Sequence, residues 1–138
     1  MKSITTLLRI KQREMDALKR QQGLLEAQRE ELYKTLDILA ARLVQELKAA
    51  ETLPGMASFF GDFSSAIKQR QEAVHGGIRL LDNELDRLAG LIREHFSEMK
   101  KYEIALANWK KRRDEAAARR SQQEMDEIAI RGYVRKDA

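Results

Sequence analysis

The chain has 138 residues, no cysteine, one proline, 35% charged and 6% aromatic residues, and a formal net charge of +4. With no cysteine there is no disulfide, no thiolate chemistry and no cysteine-ligated zinc site, and a mean hydropathy of -0.58 argues against a thick globular core. Length allows one domain, and the wealth of Ala, Leu, Glu, Lys, Arg and Gln is that of long helices or coiled coil.

The first element is predicted over residues 3–50. Ser3 is placed to cap its first turn. A seven-residue repeat then holds along the segment. One series is Ile4, Lys11, Leu18, Leu25, Leu32, Leu39 and Glu46; the other is Leu8, Met15, Gln22, Arg29, Leu36, Leu43 and Ala50. A strict repeat of seven favours a coiled-coil seam over a surface helix of period 3.6. Lys11, Gln22, Arg29 and Glu46 interrupt the stripe, as polar seam positions that weaken packing and can fix register. The N-terminal stretch carries Glu14 and Asp16 and lacks the unbroken apolar run of a signal peptide, so it reads as the start of this helix. No apolar run approaches the ~20 residues needed to cross a bilayer.

A turn is predicted over residues 51–58, centred on Thr52-Leu53-Pro54-Gly55. Proline lacks an N–H and its ring clashes with the preceding turn, so an arriving helix stops there. Gly55 supplies the positive φ that a tight turn needs.

The second helix is predicted over residues 59–130, with a frayed tail over 131–138. Its seam series are Phe60, Ile67, Val74, Leu81, Leu88, His95, Tyr102 and Trp109, and Ser64, Gln71, Ile78, Leu85, Ile92, Met99 and Leu106. Beyond Trp109 the seam positions become Arg113, Ala116, Arg120, Gln123 and Glu127, so the stripe fades. The expected fold is therefore all-α, a single domain over residues 1–138. Its two long helices form an antiparallel coiled-coil hairpin of roughly 70 Å, at ~1.5 Å per residue, and the second helix is the longer. Folding at the turn sets Leu25 near Leu88, Leu32 near Leu81, Leu39 near Val74, Leu8 near Leu106 and Ile4 near Trp109. Gly23 falls level with Gly90, where the helices are expected to approach closely. Gly76-Gly77 implies either a bend or a pair packed on Leu36.

Charge is uneven. Residues 1–50 hold 10 Lys/Arg and 7 Asp/Glu, residues 51–99 hold 5 and 8, and residues 100–138 hold 11 and 7. A hairpin brings the two basic ends together at one pole. That pole is either a set of solvated faces or a surface for an acidic partner. Few aromatics and interleaved acids speak against nucleic acid.

No glycine-rich phosphate loop, no His-Glu-x-x-His and no nucleophile elbow occur. His75 and His95 are twenty residues apart, and His95 reads as a packed seam residue. Asp82, Glu84 and Asp86 are spaced as a solvated face. The expectation is binding rather than catalysis, with no cofactor and no metal. Two surfaces qualify. Near the turn, Phe59, Phe60 and Phe63 cannot all face the seam; the remainder either cap the turn or meet a partner. Past Trp109, Met125, Ile128 and Ile130 have no internal partner, and Trp109 itself either stacks on Ile4 or anchors an interface.

The run Gln122-Gln123-Glu124-Met125-Asp126-Glu127-Ile128-Ala129, followed by Arg131, resembles the C-terminal signature of the flagellar type III export protein family FliJ. The wider plan is similar too: basic ends, a leucine-heptad leg, a short turn, and a longer second leg bearing a tryptophan. The resemblance implies an antiparallel two-helix rod similar to the central stalk of rotary ATPases. It implies a cytoplasmic protein, peripheral at the cytoplasmic face of the inner membrane, with three partners: the hexameric export ATPase, the membrane export gate protein, and export chaperones. By that likeness the pole with both termini enters the ATPase ring, through Arg9, Arg13, Lys110, Arg113, Arg120 and Met125. The gate then meets Leu43, Leu47, Phe59, Phe60 and Phe63. Leg one, whose one tyrosine is Tyr33, lacks the tyrosines that some members carry before the turn. The rival expectation is a structural scaffold, a parallel dimer with no role in export energy conversion. The hairpin is expected to be a monomer in dilute solution.

Overall fold

The computed structural model describes residues 2–53 and 55–137. All secondary structure among them is helical: α1 spans Lys2–Thr52 and α2 spans Ala57–Asp137. The two helices pack against each other. Pro54, on which the expected break was centred, lies outside the described residues. Gly55 beside it has φ of 85°, the only positive φ among them, so the turn uses the residue with no Cβ to clash. Thr52 Oγ1 donates to the carbonyl of Ala49 at 3.0 Å, occupying one of the acceptors the end of α1 leaves over. Past the turn, Phe60 N–H donates to the Met56 carbonyl at 2.9 Å as α2 begins.

The helix bounds run beyond those read from the sequence. Because α1 already includes Lys2, Ser3 sits inside the first turn and does not cap it. α2 continues past Ile130 to Asp137, since nothing between them breaks a helix; Gly132 alone costs only about 1 kcal/mol.

Packing divides the chain into two units, Glu14–Glu94 and a second made of residues up to Arg13 with those from His95 onward. In the first unit Met15, Leu39, Ile67, Ile78, Leu85 and Leu88 are buried, Leu88 completely. Each recurs at a seam position of the sevenfold repeat, and each fully buried aliphatic side chain contributes roughly 1.5–3 kcal/mol. Leu25, Leu32, Leu36 and Leu43 of α1 and Val74, Leu81 and Ile92 of α2 are half-buried beside them. Glu46 is exposed, so the stripe lapses for one position near the turn. Arg29 Nη1 donates to Asp82 Oδ1 at 2.9 Å. A polar seam position is thus matched by a carboxylate on the other helix. That hydrogen bond holds the Arg29 guanidinium above its ordinary pKa. Asp82 and Glu84 are thus ion-paired, though their side chains stay partly exposed to solvent. Glu84 accepts from Arg87 Nε at 3.0 Å, and this hydrogen bond lowers its pKa.

The close approach of the helices falls elsewhere than expected. A Cβ on Gly23 would meet nothing within 4 Å, and one on Gly90 only the tip of Arg93 in its own helix. A Cβ on Gly77 would stand 3.3 Å from Leu32 Cδ1. The neighbour is Leu32 rather than Leu36. Gly77 sits next to the buried Ile78, and Gly23 is exposed, so facing angle decides contact rather than level along the helix.

In the second unit Met99 is buried, and Ile4, Leu8, His95, Tyr102, Leu106 and Trp109 are half-buried. Lys11 Nζ pairs with Glu98 Oε2 at 2.8 Å, again answering a polar seam position from the other helix. From Lys110 to Arg135 every residue except Ala116 is exposed.

Candidate functional site

Four residues of α1 and three of α2 surround an open cleft of about 430 Å³ in the second unit. Lys2, Thr5, Thr6 and Arg9 recur at intervals of three or four, so the helix sets them on one face. Leu106, Trp109 and Lys110 do the same from α2. Thr6 Oγ1 donates back to the Lys2 carbonyl at 2.9 Å, so its hydroxyl is directed along its own helix. Trp109 is half-buried, with the Arg113 guanidinium 5.0 Å from its ring centroid, a cation–π distance.

The electrostatics of this unit sort its cations. Lys11 is paired with Glu98, and the hydrogen bond it donates lowers the Glu98 pKa. Lys100 Nζ pairs with Glu103 at 3.1 Å and lies 5.3 Å from the Phe96 ring centroid. Arg113 Nε also stands 3.7 Å from Asp114 Oδ1. Among the described residues Lys2, Arg9 and Lys110 enter no ion pair. The cleft is therefore an apolar floor with an uncompensated cationic rim.

The six residues expected to meet the ATPase separate. The cleft brings Arg9 and Lys110 together and adds Arg113 through Trp109. Arg13, Arg120 and Met125 do not line it; all three are exposed, Met125 at 67%. The sequence reading missed Lys2, Thr5, Thr6 and Leu106 as companions of Arg9. Leu106 is legible as a seam position of the sevenfold repeat, whereas Lys2, Thr5 and Thr6 carry no signal of their own in the sequence. Farther along α2, Gln122 Nε2 donates to Asp126 Oδ1 at 3.1 Å, and a shallower cleft is lined by Ile128, Arg131, Gly132 and Arg135. Ile128, Ile130, Tyr133 and Val134 stand exposed around it.

The five residues expected to meet the gate lie in the other unit. Leu47 and Phe59 are exposed, Phe59 at 61%, while Leu43, Phe60 and Phe63 are half-buried. That unit also carries an apolar cleft of about 530 Å³, lined by Leu24, Ala27, Gln28, Glu31, Leu32 and Leu81. Among the described residues no group of three or more His, Asp or Glu is placed to hold a metal ion. None of the described helices is long and apolar enough to cross a membrane.

The family model described as Flagellar FliJ protein matches residues 1–138. No curated protein and no solved structure matches the chain.

Proposed function

The chain belongs to the flagellar FliJ family and is thus a flagellar export-related protein; from that premise we propose that it is the non-enzymatic stalk of the export apparatus. In this reading the chain is an antiparallel coiled-coil hairpin whose longer second helix projects past its partner. The end bearing Arg9, Arg13, Lys110, Arg113, Arg120 and Met125 enters the hexameric export ATPase. The face bearing Leu43, Leu47, Phe59, Phe60 and Phe63 meets the membrane export gate protein, and export chaperones are passed along the same chain.

One observation carries the reading. Exposure runs unbroken from Ala117 to Arg135 and includes Met125 at 67% and Ile128 at 66%. A helix with that much bare apolar surface is suited to being enclosed by another protein. The pairs Lys11–Glu98 and Arg29–Asp82 form within one chain, which supports a hairpin over a parallel dimer. A two-helix axle offers different side chains to each subunit of a ring, so it binds their conformations unequally and shifts their populations. It changes no bond itself.

The test is the turnover of the cognate ATPase with and without the full chain, then with Arg113→Glu and Arg120→Glu together. Stimulation by the wild-type chain, lost on charge reversal, is expected. No stimulation, or stimulation unchanged by the reversal, overturns the reading.

A further inference from the structure

We infer that the cleft beneath the first turns of α1 is a docking site for an acidic peptide segment: one large apolar side chain flanked by Asp or Glu. Lys2, Arg9 and Lys110 line the cleft, and among the described residues none of the three is paired. Lys11 and Lys100, in the same unit, are answered by Glu98 and Glu103. Among the described residues no acidic side chain lines the cleft. The cationic rim is thus left over by the fold, and it is complementary to carboxylates, which form short charge-assisted hydrogen bonds with Lys and Arg.

The floor settles the rest of the ligand. Leu106 and Trp109 are half-buried there, and tryptophan and arginine are both residue types enriched in interface hot spots. Arg113 over the indole adds a fourth positive group at the edge. A volume of about 430 Å³ holds one or two side chains of a segment laid across the rim. An apolar anchor with flanking carboxylates satisfies both floor and rim, whereas a basic segment is repelled. The inference rests on reading this end of the chain as a docking end, but not on the identity of the partner.

Trp109 is the only tryptophan in the chain, so its emission reports this cleft directly. The full-length protein is titrated with a capped peptide carrying one Phe flanked by Glu on both sides. A saturable change in emission is expected, weakening as salt rises. Arg9→Glu and Lys110→Glu should each weaken binding roughly tenfold or more, as expected for the loss of a charge-assisted contact. Lys68→Glu, outside the cleft, should bind as wild type. Far-ultraviolet circular dichroism checks that each variant keeps its helix. No saturable change in the wild type overturns the proposal. So does equal binding by a peptide with Ser in place of Phe or Lys in place of Glu. So does a short oligonucleotide or inorganic phosphate that binds as well as the peptide. Peptide binding as described, with no effect of the chain on the ATPase, upholds the cleft and defeats the stalk. ATPase stimulation with no peptide binding defeats the cleft alone.

Discussion

Replacing Gly76 and Gly77 by Ala, one at a time, should have different outcomes although the two residues are neighbours in one helix. Neither needs a positive φ, so alanine is permitted at both. In a helix interior alanine is favoured over glycine by about 1 kcal/mol. A Cβ on Gly76 meets only Arg79 Nη2, at 3.7 Å, an ordinary contact with the end of a flexible side chain. Gly76→Ala should therefore keep the full gain of about 1 kcal/mol. A Cβ on Gly77 stands 3.3 Å from Leu32 Cδ1, inside the roughly 3.5–4.0 Å optimum for two carbons. Leu32 must retreat by a few tenths of an ångström. It is half-buried and borders an open cleft, so it has room, at the roughly 0.5–1.5 kcal/mol of an off-rotamer side chain. The two effects nearly cancel, leaving Gly77→Ala close to neutral. Urea unfolding followed by circular dichroism reads the difference as a shift in midpoint at constant slope. The Gly76→Ala chain should be the more stable by about 1 kcal/mol. If Gly77→Ala stabilises as much as Gly76→Ala, the Leu32 contact is not there. If both destabilise, the glycines serve the backbone for another reason.

Two further outcomes follow from burial and charge. Leu88→Ala, at a position 0% exposed, should lose about 2–5 kcal/mol in the same unfolding assay. Leu80→Ala, at 72% exposed, should stay within about 0.5 kcal/mol. Glu98 has a pKa lowered by the hydrogen bond from Lys11, so it binds a proton more readily unfolded than folded. Its contribution is present above the ordinary glutamate pKa and is lost as pH falls through the lowered value. Glu98→Gln should thus be less stable than wild type near neutrality. The gap should close below the ordinary glutamate range, as read by urea midpoints across a pH series.

Most of the helix packing was legible in the sequence, because a repeat of seven says directly which residues share a face. Of the assigned positions from Ile4 to Trp109, only Glu46 is exposed. The repeat does not say how closely two facing positions approach. That depends on rotation about each helix axis, which is why Gly23 and Gly90 were poor guides and Gly77 against Leu32 was not foreseen. The cleft was half legible. Trp109, Arg9 and Lys110 stood out by type and charge. Thr5 and Thr6 carry no apolar rhythm, and Lys2 is one lysine among many, so only their placement beside Leu106 and Trp109 marks them.

The bare stretch of α2 also governs how the molecule exchanges with solvent. Backbone hydrogen bonds between Ala117 and Arg135 are held by the helix alone, because no side chain there is tucked away. They can open one turn at a time, without disturbing Leu39 or Leu88. Deuterium uptake should therefore be fast in this stretch and slow around those leucines. Whatever wraps the stretch would slow the uptake, so the unclad helix would record its own occupancy without a label.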